Sequence, residues 1–293
     1  MALFLSQAPE IQRFGIMQNT YQTSFYTLLA LLAFAANSVL CRLALAEQQI
    51  EALNFTLVRL AAGALVLLIL VRPDRTELKL LSSSLGAAAG LFVYALAFSL
   101  AYLELDAGIG ALILFATIQL MMNGIAFFQG QKFSLQTQLG IALAFIGLVI
   151  LLLPGQSAPD LGSALLMMLA AAGWVGFLFT GRNNKTPLRD VALAFRWSLI
   201  FCIPLLWFID WSAMNNTGIM LAAASGALTS GLGYAIWYKV LPELGMKNAA
   251  QVQLLVPVFA ILMGILLLQE EVSLLAMLAS GLILCGIGLS IRK

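Results

Sequence analysis

Long apolar runs separated by short polar connections occupy almost the whole chain. Each run is close to the roughly 20 residues that a helix needs to cross the hydrocarbon core of a bilayer. Because a helix satisfies its own backbone hydrogen bonds, successive runs of this kind predict an all-α bundle in lipid. Ten spans are predicted, at about 23–45, 54–71, 83–103, 107–129, 134–153, 161–181, 190–209, 218–241, 247–268 and 272–291.

The composition agrees with a lipid-embedded protein and narrows its chemistry. Of the 293 residues, 62% are hydrophobic and 10% are charged, whereas soluble domains are about 45–50% apolar and about 25% charged. Histidine is absent, and Cys41, Cys202 and Cys285 lie far apart. We therefore expect no metal, no cofactor and no disulfide framework. The net charge of +2 gives no indication of nucleic-acid binding.

The basic residues alternate with the predicted spans. Of the 15 lysines and arginines, three (Arg42, Arg59 and Arg196) lie within spans, and the other twelve fall in or beside connections on one side. Cytoplasmic connections carry such an excess. The pattern predicts a multi-pass protein of the inner (plasma) membrane with both termini in the cytoplasm, and it leaves open whether the protein is a monomer or a homodimer.

The two halves of the chain resemble each other. GIALAFIGLVI (140–150) aligns with GLILCGIGLSI (281–291), GIAFFQ (124–129) with GILLLQ (264–269), and YAL (94–96) with YAI (234–236). Five spans in each half bring the second copy into the membrane from the opposite side. An inverted repeat of this kind is a common plan of secondary transporters. We predict a tail at 1–21, a first five-helix repeat at 22–154 and a second at 160–293.

Two arginines lie inside predicted spans at similar depth, Arg59 in the second and Arg196 in the seventh. A charge within the bilayer is costly and is a functional candidate by default. The two cations could draw a carboxylate into a central cavity from either side. The alternative, which stays open at this stage, is a structural role through snorkelling or bonds to backbone carbonyls.

Neutral polar and aromatic side chains form the rest of the candidate substrate cavity. Amides within spans orient a polar cargo or hold helices together, and aromatic rings line a cavity or anchor the membrane interface. Tyr94 and Tyr234 occupy equivalent places in the two halves, which favours the cavity. The candidates besides the two arginines are Asn37, Tyr94, Gln119, Asn123, Trp174, Tyr234, Gln251 and Gln253.

Pro257 interrupts the ninth predicted span and is the candidate hinge. Proline frees a backbone carbonyl one turn earlier and permits a bend. Glu270 and Glu271, which follow this span, are expected at the surface in the turn to the last span.

The sequence PVFAILMGILLLQEEVS (257–273), followed by Ala279, Ser280, Gly281 and Gly288, resembles the signature hairpin of the drug/metabolite transporter superfamily in its EamA-like branch. The resemblance extends from about residue 22 to the end. It implies ten helices in two inverted repeats around a central cavity, and it implies transport of a small metabolite. The first half departs from the pattern, with Thr117-Ile118 in place of the proline and Gln131-Lys132 in place of a glutamate.

These observations favour a secondary transporter that moves a small polar metabolite across the membrane by alternating access. The arginines and the aromatic and amide groups favour export of amino acids or related carboxylates. Other cargoes, such as a nucleotide-sugar, an amine or a drug, stay open. A membrane enzyme or a channel is less well supported, because the chain has neither an evident catalytic constellation nor a charged ring.

Overall fold

Helices form all the regular secondary structure in the parts of the chain that the structure describes. The computed structural model describes residues 20–72, 81–153, 158–180, 187–211 and 214–291. Most of the predicted tail therefore lies outside the described residues. The α-helices are α1 (Thr20–Ala46), α2 (Ala52–Val71), α3 (Leu81–Ala101), α4 (Ala107–Phe128), α5 (Leu135–Leu152), α6 (Leu161–Thr180), α7 (Pro187–Cys202), α8 (Asn216–Ala224), α9 (Gly233–Val252), α10 (Leu255–Leu268) and α11 (Leu274–Ile291).

The ten predicted spans are confirmed, with three of them built from joined pieces. The seventh, Pro187–Trp207, joins α7 and the 3₁₀ turn Pro204–Trp207. Within the described ranges, nine helical stretches are long and apolar enough to cross a bilayer. The remaining span is α3, which contains the apolar stretch Leu85–Ala101. The eighth span, Asn216–Gly245, joins α8, a π-helical segment and most of α9, and the ninth, Asn248–Leu268, contains the end of α9 and α10.

Large apolar side chains cover the outside of the bundle. Phe128 is 89% exposed and Leu266 is 76% exposed, and many leucines on the other helices are similar. Helices that are apolar on all sides are stable where lipid, and not water, surrounds the bundle. The exposed apolar surface therefore agrees with a protein embedded in a membrane.

Each main contact between helices has a counterpart in which the helices of the two halves are exchanged. Helix α3 of the first half packs along α6 of the second half, and the eighth span, in the second half, packs along α1 of the first half in the same way. Likewise α4 contacts α6 as α10 contacts α1, while α5 pairs with α11 and α2 with α7. This pattern is expected for two related five-span halves. The exact bounds of the repeats, 22–154 and 160–293, stay a prediction.

Paired glycines allow two of these helix crossings to be very close. At the crossing of α3 and α6, a Cβ added to Gly90 would lie 2.7 Å from the Gly173 carbonyl oxygen, and one added to Gly173 would lie 2.7 Å from the Gly90 oxygen. At the crossing of α5 and α11, Gly140 and Gly286 face each other in the same way, at 2.6 Å in both directions. In lipid, where helix association depends on close contact, small residues provide much of the affinity.

The eighth and ninth spans are the irregular ones. Residues Ser225–Leu232 form a π-helix, and Gly245 has a φ of 67° and a ψ of 156°, which breaks α9. A second interruption lies at residues 253–254, one turn before Pro257, where the Gln253 carbonyl accepts a bond from the Val256 amide at 3.1 Å. This is the position at which a proline frees a carbonyl. The role of Pro257 as a moving hinge stays a prediction.

The glycine crossings give a stability prediction. Gly286→Ala should destabilise the protein by about 1–3 kcal/mol, because the added methyl group would meet the backbone of α5. Gly281→Ala is the matched control in the same helix, since a Cβ there has nothing within 4 Å. The control should be neutral or slightly stabilising, because alanine favours a helix over glycine. Thermal unfolding in lipid nanodiscs measures both variants, and equal melting temperatures for the two would contradict the proposed crossing.

Candidate functional site

Arg59 lies at the centre of the bundle with its side chain almost completely buried. It is 2% exposed and extends from α2 toward α3. Its Nη2 donates to the Tyr94 hydroxyl at 3.2 Å. The guanidinium carbon lies 5.2 Å from the ring centroid of Tyr94 and 4.7 Å from that of Phe98. Cation–π contacts of this kind stabilise a desolvated guanidinium by about 2 kcal/mol.

The protein leaves most of the hydrogen-bonding capacity of this guanidinium unused. Nε and Nη1 of Arg59 are buried and have no hydrogen-bond partner among the residues that the structure describes. Among the described residues, no carboxylate forms an ion pair with Arg59, whereas Arg42 pairs with Asp106. A buried, unneutralised cation is costly. The arrangement therefore offers two donors to an anion that the protein itself does not supply.

Aromatic rings form a continuous wall beside Arg59. The Tyr94 ring lies 5.1 Å from the Trp174 ring, and the Trp174 ring stacks on Tyr234 at 5.8 Å with an interplanar angle of 14°. Phe34 packs on Tyr234 with the ring centroids 5.5 Å apart. This contact corresponds to that of Trp174 with Tyr94 when the two halves of the chain are exchanged. The structure thus brings together Tyr94, Trp174 and Tyr234, which sequence reasoning had assigned to one cavity wall.

Asn37 anchors a second polar group at the crossing of α1 and the eighth span. Its Oδ1 accepts from the Ser225 hydroxyl at 2.7 Å and from the Thr229 hydroxyl at 3.2 Å. The cluster adjoins the Arg59 site, because Gly226 packs directly on the backbone carbonyl of Arg59. Sequence reasoning selected Asn37 but missed the hydroxyls, which stand in a glycine-rich segment that is typical of close packing.

The four remaining amides lie in the later part of α4 and near the interruption in the ninth span. Residues 107–114 of α4 are all buried, whereas residues 117–121 and 123–125 are half-buried. Gln119 and Asn123 lie in this second part, and the Nδ2 atom of Asn123 is buried without a partner. Gln251 and Gln253 are half-buried near the interruption in the ninth span. Their roles in substrate binding stay predictions.

Arg196 does not occupy a place equivalent to that of Arg59. Its guanidinium lies 4.9 Å from the ring centroid of Trp197, the next residue, and the side chain is half-buried. The buried positions of α2 and α7 coincide at a shift of 139 residues, so that Ser198 corresponds to Arg59 (198 − 59 = 139). The buried positions that match under this shift are Ala52, Asn54, Phe55, Thr56, Arg59 and Gly63 in α2, and Val191, Leu193, Ala194, Phe195, Ser198 and Cys202 in α7.

The bundle is tightly closed at the end where α4 begins and α10 ends. A Cβ added to Gly108 would lie 2.7 Å from the Cα of Ile261, so the two helices touch there. Glu270, after α10, accepts a hydrogen bond from the backbone amide of Ala107 at 2.8 Å. Carboxylates stabilise a helix N-terminus, and this one joins the second half of the chain to the first.

The expected surface position of the two glutamates is therefore wrong for Glu270, which is half-buried, while Glu271 is exposed. The reason is that the backbone amide of Ala107, at the N-terminus of α4, donates a hydrogen bond to Glu270, and the sequence around Glu270 gives no sign of this distant partner. Burial raises the pKa of Glu270, the amide of Ala107 lowers it, and the carboxylate of Asp106 raises it further. Burial also raises the pKa of Asp106, against the opposing effect of Arg42.

The raised pKa of Glu270 gives a pH-dependent prediction. Below the ordinary value of 4.5 the side chain is protonated in both the folded and the unfolded protein, and Glu270→Gln should unfold at the parent's temperature. As the pH rises through the folded-state pKa, the half-buried carboxyl group must ionise, and the parent should become less stable than the variant. Thermal unfolding over this pH range measures the difference.

Glu271→Gln is the matched control for this experiment, because it removes an exposed carboxylate from the adjacent position. Its difference from the parent should not grow with pH. A parent that gains stability over Glu270→Gln as the pH rises toward neutrality would contradict the assignment.

Comparison with known proteins agrees with this architecture. Residues 161–292 match the model of the EamA-like transporter family. An uncharacterized protein of Pseudomonas aeruginosa is 46% identical over 253 residues, covering 86% of this chain and 88% of its own. A probable amino-acid metabolite efflux pump of Salmonella typhimurium is 26% identical over 289 residues, covering 91% of this chain and 94% of its own.

A crystal structure of another protein superposes on the fold. The TM-score is 0.64 at 16% identity, over 92% of this chain and 97% of the other. At this identity the match concerns the fold alone. The family match, the relatives and the ten-span helical bundle show that the chain belongs to the EamA-like family of the drug/metabolite transporter superfamily.

Proposed function

We propose that this membrane transporter exports amino acids or related carboxylates by alternating access, and that Arg59 binds the carboxylate of the cargo. The observation that carries the proposal is the buried guanidinium whose Nε and Nη1 atoms have no partner. Guanidinium and carboxylate groups match in shape and form paired, charge-assisted hydrogen bonds. A carboxylate would therefore satisfy the charge of Arg59 and one of its two forks, in which Nε or Nη1 donates together with the second hydrogen of Nη2.

The aromatic wall suits the apolar part of such a cargo. Tyr94 and Trp174 are in contact beside Arg59, and Trp174 stacks on Tyr234. A pocket with apolar walls and few oriented polar groups is typical of small-molecule sites. An amine without a carboxylate would meet the positive charge of Arg59, which argues against that cargo. The Salmonella relative, named as a probable amino-acid metabolite efflux pump, supports the same substrate class and the outward direction.

The closed end supports alternating access. Glu270 and Ala107 join the two halves there, while α4 becomes half-buried along its opposite part. Two related halves can exchange such an arrangement with little change in energy. We place the closed end outside and both termini in the cytoplasm, from the excess of lysine and arginine on that side. Gln119, Asn123, Gln251 and Gln253 would then line the cytoplasmic approach, with Pro257 as the hinge.

The two arginines allow a matched test. Arg59→Gln should lower transport of carboxylate substrates into liposomes by roughly a hundredfold, because two charge-assisted hydrogen bonds are lost. Arg196→Gln removes the same charge from a half-buried position against Trp197, and its effect should be much smaller. Purified parent protein should be stabilised against heat by the transported amino acid, and Arg59→Gln should lose that stabilisation.

Two results would overturn the role of Arg59. One is carboxylate transport by Arg59→Gln at the parent's rate. The other is an equal loss in both variants while both proteins remain folded by thermal unfolding. If Arg59→Gln does not fold, Tyr94→Phe gives the second test, since it removes the hydroxyl that accepts from Nη2. That variant should bind the carboxylate more weakly.

A further inference from the structure

The π-helical segment Ser225–Leu232 gathers neutral oxygen atoms in the interior of the bundle. The Ser225 carbonyl oxygen accepts from the Thr229 hydroxyl at 2.7 Å and from the Ser230 hydroxyl at 3.0 Å. The Ser225 and Thr229 hydroxyls also lie within bonding distance of Asn37 Oδ1. All four side chains are less than 10% exposed. We call Asn37, Ser225, Thr229 and Ser230 the hydroxyl cluster.

The three hydroxyls of the hydroxyl cluster have lone pairs to offer but no free proton, and the Asn37 amide nitrogen is the donor group of the cluster. Each hydroxyl has one proton and two lone pairs. The Ser225 hydroxyl donates its proton to Asn37 Oδ1, and the Ser230 hydroxyl donates its proton to the Ser225 carbonyl oxygen. The Thr229 hydroxyl donates its proton to one of these same two oxygens. What the three hydroxyls still offer is lone pairs. A group that only donates hydrogen bonds, such as an ammonium, fits these oxygens, and a carboxylate does not.

The hydroxyl cluster and the Arg59 guanidinium have opposite chemical preferences and share a wall. Gly226, the residue after Ser225, packs on the Arg59 backbone carbonyl, and its own carbonyl oxygen would lie 3.2 Å from a Cβ added to Gly63. Tyr234, on the helix that continues the π segment, stacks on the Trp174 ring beside Tyr94. One end of the shared wall therefore offers donors to an anion, and the other offers acceptors to a cation.

We propose that the hydroxyl cluster binds the ammonium group of the cargo, so that the transporter selects zwitterionic α-amino acids over simple carboxylates. The inference rests on the proposed function, since it takes Arg59 as the site of the carboxylate. It also gives the π-helix a role, because the wide turn brings the Thr229 and Ser230 hydroxyls to the same carbonyl. Irregular helices commonly place such oxygens at transporter sites.

The test compares an amino acid with its des-amino acid. The standard amino acids are screened by thermal shift on the purified parent, and the best binder is paired with the carboxylic acid that lacks only the amino group. The parent should bind the amino acid at least about tenfold more tightly. Thr229→Val, which keeps the side-chain shape, and Ser225→Ala should each weaken binding of the amino acid about tenfold and leave the des-amino acid unchanged.

Ser280→Ala is the matched control, because it removes a buried hydroxyl that donates to the Ala276 carbonyl in α11, outside the cluster. It should leave both affinities unchanged. Unchanged binding of the des-amino acid also shows that the cluster variants are folded. An unfolded variant is replaced by Ser230→Ala, which removes a hydroxyl without touching Asn37, with the same expected selectivity loss.

Three results would overturn the inference. The first is equal binding of the amino acid and the des-amino acid by the parent. The second is that the cluster variants weaken the binding of both ligands equally, or of neither. The third is binding that requires sodium ions in the parent and no longer requires them in Thr229→Val. The last would assign the oxygens to a free cation. Failure of the proposed function looks different, since the parent would then bind neither ligand, or Arg59→Gln would bind both as the parent does.

Discussion

The burial of Arg59 without a counterion in the described part of the chain is the constraint on which the rest of the structure depends. A cation in the middle of a lipid-embedded bundle raises the free energy of the folded protein. The rings of Tyr94 and Phe98 and one hydroxyl offset part of this cost, but two donor nitrogens stay unused. A protein that retains such a group gains binding energy when an anion arrives, which is the requirement for a carrier with an anionic cargo.

Close backbone contact is what holds the guanidinium in this position. Gly226 lets the π-helical segment rest on the carbonyl of Arg59, and Gly90 and Gly173 bring α3 and α6 together where Tyr94 meets Trp174. Larger residues at these glycines would separate the helices and with them the aromatic wall. The end of the bundle is closed by other contacts, of Gly108 with Ile261 and of Glu270 with the Ala107 amide.

Hydropathy and the internal repeat were sufficient to predict the fold, because helix length and lipid exposure decide it. The repeated Tyr94 and Tyr234 also indicated rings that the structure brings together through Trp174. Details that depend on helix register were not predictable. Arg196 is close to Arg59 in the alignment of the two halves. In the structure, however, Arg196 lies against Trp197 outside the buried face of α7, and Ser198 lies at the position equivalent to Arg59. The partner of Glu270 is a backbone amide 163 residues away, and the π-helix leaves no clear hydropathy signal.

The central claim is that the guanidinium of Arg59 binds a carboxylate inside the bundle. Isotope-edited infrared difference spectroscopy tests it directly, with an amino acid labelled with carbon-13 at the carboxylate and protein in lipid nanodiscs. The account predicts a bound carboxylate stretching band that is displaced from its position in water in the parent and missing in Arg59→Gln. A bound carboxylate band that is the same in both proteins would contradict it.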